Sequence, residues 1–274
     1  MLQRYNRTLF FYGLSMLVPW MLWFSVAYLS HLPDQTRGIQ IAQRILGPAG
    51  LLAPVLLAAY LFLADEELLK DLKSRIFNTK DFRLIYMPAT FFLIPVSLVL
   101  AQLLSIFLGH GLDQFRISGS PSFTSTFLSP WFILIFAPIA EELAWHSYGT
   151  DTLRRKFNLF NTCLIFSVYW VLWHIPLSFI KGYYHSNVVA EGWLYSANFA
   201  FSLFVFVILM NWLYYRTGRN IFVAVVFHLS ANVTNEIFAT HPDSKVIQTA
   251  LLLLAAIAVV VIDRKLFFLK TSVD

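Results

Sequence analysis

WFILIFAPIAEELAWHSYGTDTLRRK, Trp131 to Lys156, begins as a membrane-type helix and then departs from the composition such helices keep. The residues from Trp131 to Ala140 carry no charge and one helix breaker, Pro138. Glu141 and Glu142 follow with no turn signal, then His146 and the basic end Arg154-Arg155-Lys156. A charged side chain near the bilayer centre costs roughly 2.5–3.5 kcal/mol on the mild insertion scale. Two adjacent carboxylates therefore need partners, water or a chemical task, and the rest of the chain has to supply it.

The surroundings are a membrane protein. The 274 residues are 58% hydrophobic and 13% charged, with a mean hydropathy of +0.65, far more apolar than a soluble domain. The expected fold is all-α and polytopic, with about eight transmembrane helices. The formal charge of +5 does not point to nucleic acid, because the basic residues sit at the ends of apolar segments, where topology explains them. A single cysteine, Cys163, rules out an internal disulfide. The apolar run after MLQRYNRTLF is too long for a signal-peptide core and reads as the first span.

Eight apolar segments are expected as spans: Leu9–Leu29, Ile45–Leu63, Ile85–Leu108, Ser129–Asp151, Thr162–Ile180, Leu194–Tyr215, Ile221–Thr240 and Val246–Ile262. Sorting the 20 Lys and Arg onto alternate sides puts three quarters of them beside the termini. That side holds Arg4, Arg7, Lys70, Lys73, Arg75, Lys80, Arg83, Arg154, Arg155, Lys156, Arg216, Arg219, Arg264, Lys265 and Lys270. The other holds Arg37, Arg44, Arg116, Lys181 and Lys245. The positive-inside bias then makes both termini cytoplasmic. Asp65 to Arg83 reads as a surface helix on that side. His31, His110, His185 and His241 fall in external loops, and His146, His174 and His228 fall inside spans. No linker or repeat divides the chain, so residues 1–274 form one integral membrane domain, with 130–235 as the core helices.

The polar residues inside spans form a constellation. Glu142 and His146 are i, i+4 neighbours on one helix face, whereas Glu141 points about 100° away, toward the face of Trp145 and Tyr148, so one carboxylate can be held by His146 while the other faces a cavity. His174 lies in WVLWHIPLSF, where Pro176 disturbs the turn that holds it. His228 and Asn232 share a face of the seventh span. A carboxylate beside an imidazole can activate water, and a second imidazole with an amide can stabilise an oxyanion. Glu141, His174 and His228 are equally a plausible zinc set with an open position. The bland readings are a proton relay for the two glutamates, interhelical glue for His228 and Asn232, and packing or interface roles for Trp20, Trp23, Trp170 and Trp173.

The series Glu141-Glu142-Leu-Ala-Trp-His146, Trp170-Val-Leu-Trp-His174 and His228-Leu-Ser-Ala-Asn232 resembles the three motifs of the CPBP family of intramembrane proteases. That family includes the type II CAAX prenyl endopeptidases and the bacteriocin-processing or immunity (Abi-like) proteins. The resemblance runs from about Pro130 to Asn235. It implies that Glu141 is the general base acting with His174 on water, that His228 and Asn232 form the oxyanion hole, and that Glu142 supports them. It also implies no cofactor, with zinc as the alternative, and a peptide or protein substrate at the bilayer of a bacterial cytoplasmic membrane. The family's motif arginine is His146 here, and histidine offers one donor per nitrogen where arginine offers a charged fork. A non-catalytic membrane immunity or scaffold protein and a proton-coupled carrier are the alternative functions.

Overall fold

The computed structural model describes residues 1–76, 78 and 84–270. All eight expected spans are helical, and among the described residues the sole strand-like pairing is one antiparallel bridge, Ile117 to Phe238. The long helices are α1 (Thr8–Ser30), α2 (Arg37–Leu63), α4 (Met87–Ile106), α5 (Pro130–Ala144), α7 (Leu159–His174), α9 (Trp193–Arg216), α10 (Ile221–Ile237) and α11 (Pro242–Ile262). Among the described residues, four shorter helices lie between or after them: α3 (Glu66–Ile76), α6 (Thr150–Arg154), α8 (Tyr184–Glu191) and α12 (Arg264–Phe268). The chain is thus a multi-pass, all-α membrane protein.

Among the described residues, six helical segments are long and apolar enough to cross a membrane: Thr8–Ser30, Arg37–Leu63, Leu84–Ile106, Leu159–Phe179, Trp193–Arg216 and Pro242–Ile262. The two expected spans that fall short are the ones carrying Glu141-Glu142 and His228. α10 is apolar but has 17 residues. α5 stops after 15 residues and continues through a π-helical turn, Trp145–Gly149, into α6. These two helices pack against each other, with α5 also against α2 and α10 against α4 and α9. Irregular backbone and charge at membrane depth are tolerated where protein surrounds them.

Hydrogen bonds collect at the two ends of the bundle. At one end Arg4 pairs with Asp65 at 3.0 Å, Arg216 with Asp263, and Arg154 donates to Leu269 O at 3.3 Å, so both termini lie on this terminal face. At the other end Thr126 Oγ1 bonds Gln43 at 2.9 Å, Thr124 N donates to Gly182 O at 2.9 Å, and Ser118 N donates to Ile237 O at 2.8 Å. The segments rich in Lys and Arg meet on the terminal face, apart from Lys80 and Arg83, which lie outside the described residues.

The expected surface helix from Asp65 to Arg83 differs from expectation in two ways. It is α3, Glu66–Ile76, capped by Asp65, which accepts from Glu67 N and Leu68 N; residues 77 and 79–83 lie outside the described part. In addition Arg75, expected on the surface, is 2% exposed. It points inward to Asp71 at 2.8 Å and Asp151 at 3.1 Å, and Arg219 pairs with the same two carboxylates. Burial pushes the Asp71 carboxyl up, but the Arg75 and Arg219 guanidiniums outweigh it and hold it below the usual carboxylate range. Arg75 also donates to His146 O at 3.2 Å and Ser147 O at 2.9 Å. Those are carbonyls of the π turn, whose bonding is offset from the regular ladder. The loop-level charge network therefore fastens the turn that follows the two glutamates.

Candidate active site

Glu142 is fully buried and shared by two imidazoles. Its Oε2 bonds Nδ1 of His146, one helical turn on, and its Oε1 bonds Nδ1 of His228 from α10 at 2.7 Å. The pairing of Glu142 with His146 that the i, i+4 spacing predicts is present, while the second imidazole comes from 86 residues away. A carboxylate taking one N–H on each oxygen meets the condition under which a buried charge is tolerated. His146 Nε2, by contrast, is buried with no hydrogen-bond partner, and its ring lies edge-on to Tyr214 at 4.7 Å.

Glu141 faces elsewhere. Its Oε2 accepts Nε1–H of Trp170 at 3.0 Å. The backbone carbonyl of the same Trp170 bonds Nδ1 of His174 at 2.7 Å. A carbonyl only accepts, so the proton of the neutral His174 ring sits on Nδ1 and the Nε2 lone pair is free. One tryptophan thus orients the carboxylate through its side chain and the imidazole through its backbone. His174 occupies the last position of α7, which gives way to a 3-10 turn, Ile175–Phe179, with Pro176 at its start. Pro176 cannot donate to the α ladder, and the expected disturbance at His174 takes this form.

Glu141, His174, His228 and Asn232 all line one cavity of about 450 Å³. Glu142 and His146 are not among its lining residues; they lie behind it, and Glu142 touches the lining through His228. The wall is apolar along Ile94, Ile133, Leu134, Ala137 and Leu252. Its rim reaches Phe123, Tyr184, Thr240 and Pro242, on the face opposite the termini. Past Trp145 the π turn shifts the helix register, so Glu141 and Tyr148 do not share a face: Tyr148 packs on Tyr5 and Phe62, away from the cavity.

Two residues of this cavity escaped the sequence reading. His185, expected in an external loop, starts near the head of α8 and stacks on His174 with ring centroids 4.9 Å apart. Glu236, at the end of α10, is 3% exposed and accepts Ser122 N at 2.6 Å, tying the α4–α5 loop to the rim. For His185 no local pattern carried a signal; for Glu236 the signal was an acid near the end of an apolar run. Trp170, read as packing, is the bridge between Glu141 and His174. Trp23 and Trp173 are packing residues, their rings 4.6 Å apart. Trp23 also donates to Gly47 O at 3.0 Å beside Gly50, where a Cβ would collide with the indole nitrogen.

The zinc alternative is a question of spacing. Among the described residues, the triple whose donor atoms lie within 4.8 Å of one another is His110, His241 and Asp243, not Glu141, His174 and His228. The three cavity residues as arranged do not fit a preformed tetrahedral site, in which donors about 2 Å from the ion stand close together.

Residues 123–234 match the sequence profile described as type II CAAX prenyl endopeptidase Rce1-like. A curated relative, CAAX prenyl protease 2 of Methanococcus maripaludis, is 35% identical over 269 residues, 97% of each chain.

Proposed function

This chain belongs to the family of type II CAAX prenyl endopeptidases, and from that premise we propose that it hydrolyses a peptide bond of a prenylated peptide or protein at the cell membrane, by a glutamate-activated water without a metal ion. The observation that carries this reading is the double grip of Trp170 on Glu141 and His174. It leaves a carboxylate oxygen and an imidazole lone pair on one cavity wall, the pair that general-base hydrolysis needs.

In this mechanism a water bonds to Glu141 and to His174 Nε2. Glu141 takes one proton as the water oxygen attacks the scissile carbonyl carbon. The carbonyl oxygen becomes an oxyanion, and His228 Nε2–H with the Asn232 amide stabilises it. Because Glu142 holds His228 through Nδ1, the opposite nitrogen is aimed rather than free to rotate, and it donates when the ring carries both protons. The tetrahedral intermediate then collapses: the C–N bond breaks, and the proton held by Glu141 passes to the leaving amine. The apolar cavity wall suits a lipidated substrate. The donor spacing at Glu141, His174 and His228 supports the metal-free version.

The test is cleavage of a farnesylated peptide by the full-length protein in liposomes. Wild type is expected to cut it and to keep its rate in strong chelator, while Glu141→Gln and His174→Ala lose it by at least about 10³-fold and remain folded. No cleavage by wild type would leave the chain a non-catalytic member. Loss in chelator with recovery on added zinc would overturn the metal-free version.

A further inference from the structure

Outside the cavity, on the face opposite the termini, three side chains with metal-binding atoms converge. We propose that His110, His241 and Asp243 form a transition-metal site, which takes Zn²⁺ or a similar divalent ion and staples the rim of the cavity. The inference rests on this cluster alone and is independent of the peptidase mechanism.

The residues come from two parts of the chain, His110 just after α4 and His241 with Asp243 at the start of α11. His110 Nε2 stands 3.0 Å from Asp243 Oδ2, and His241 Nδ1 stands 3.6 Å from the same oxygen. The two rings face each other at 4.0 Å with 30° between their planes. One donor atom of each residue lies within 4.8 Å of the others. Ligands about 2.0–2.2 Å from a tetrahedral ion are about 3.3 Å apart, so the two measured nitrogen–oxygen separations already bracket that spacing. Two imidazoles and one carboxylate suit zinc, nickel, copper or cobalt rather than calcium or magnesium, which prefer all-oxygen shells. Water would complete the coordination.

The ligands are also held ready. Tyr195 OH donates to Asp243 Oδ1 at 2.8 Å, which turns Oδ2 toward the imidazoles in the manner of an outer-shell partner. His241 Nδ1 accepts Asp243 N–H at 3.2 Å as the cap of α11, so an ion bound at that nitrogen takes over the lone pair that now serves the cap. Beneath the cluster, Ser244 Oγ donates to Gln114 at 2.7 Å, and Gln114 donates to Ser105 at 2.8 Å. The end of α4, the loop after it and the head of α11 are therefore fixed before any ion arrives. Lys245, the nearest cation in sequence, reaches away to Glu236 at 3.8 Å and the Tyr184 ring.

The location gives the ion its consequence. Residues 116 to 118 pair with 237 to 239 through Ser118 N to Ile237 O and Ala239 N to Arg116 O, and Thr240 and Pro242 line the cavity. An ion across His110 and His241 ties these strips together at the rim. It also means that zinc counted on the purified protein need not belong to Glu141 and His174.

The experiment uses full-length protein in detergent, carrying a histidine-free affinity tag, stripped with chelator and titrated with Co²⁺ and Zn²⁺. The expected result is one ion per chain, with the visible absorption of low-symmetry Co²⁺ and a Tm that rises with metal. His174→Ala should bind equally well. His110→Ala and His241→Asn, the latter chosen because asparagine can still cap α11, should keep the metal-free Tm but weaken binding by more than about 100-fold. Tyr195→Phe should weaken it by roughly 10- to 100-fold, the range for lost outer-shell partners. Absence of binding to wild type, binding that survives in the double variant of His110 and His241, or binding lost in His174→Ala would each overturn the proposal.

Discussion

Trp170→Phe isolates the positioning of the carboxylate. The change deletes the Nε1–H that reaches Glu141 at 3.0 Å and leaves the backbone carbonyl that holds His174 at 2.7 Å. Phenylalanine keeps a ring in the stack with Phe166, whose centroid is 5.6 Å away. A hydrogen bond to a charged group contributes about 1.5–3 kcal/mol, and each 1.36 kcal/mol is tenfold in rate. If the bond acts on Glu141 as water is activated, kcat falls roughly 10- to 150-fold while KM hardly moves. The assay is steady-state cleavage of a farnesylated peptide in liposomes, with Tm measured alongside. Phe166→Leu disturbs the same stack without touching Glu141 and serves as the packing control. A Trp170→Phe enzyme within twofold of wild type, or one whose loss is matched by Phe166→Leu, would refute the reasoning.

Arg75→Met removes the guanidinium between Asp71, Asp151 and the π turn; removing one partner of a buried pair costs about 3–5 kcal/mol, so Tm should drop and activity fall with it, which thermal denaturation and the cleavage assay check. The Asp71 carboxyl is held below its usual range, so its contribution to stability is complete above about pH 4, the unfolded value, and is lost as pH falls through the lower folded value. Wild type should therefore lose more stability on acidification below that point than Asp71→Asn does. In a Cys163→Ser background, Ser118→Cys sits on the face opposite the termini, and the charge distribution predicts that an impermeant thiol reagent labels it in intact cells; labelling confined to permeabilised cells would turn the molecule over and put the cavity rim in the cytoplasm.

Hydropathy, charge and short spacings carried a great deal. The eight apolar stretches are eight helices because a chain in lipid must satisfy its backbone bonds within each segment. Thus helix content is a local property that a sequence states directly. The contact between Glu142 and His146 was legible for the same reason, since i, i+4 neighbours meet on any regular helix. The motifs likewise pointed to Glu141, His174, His228 and Asn232, which the fold collects around one cavity.

What the tertiary structure decided is which atom faces which. Nothing local says that Glu142 spends its second oxygen on His228, that Trp170 serves Glu141 and His174 at once, or that Arg75 turns inward to the π turn. Nor does it say that His185 stacks on His174, or that His110 meets His241 and Asp243 across more than 100 residues of chain. Each depends on how two helices are rotated about their axes and on where a regular ladder slips into a π or 3-10 turn. Those are set by the packing of all the helices together, because a buried charge or imidazole in a membrane must find its partner among them. Sequence determined which residues are costly to bury; only the packed bundle determined what each of them holds.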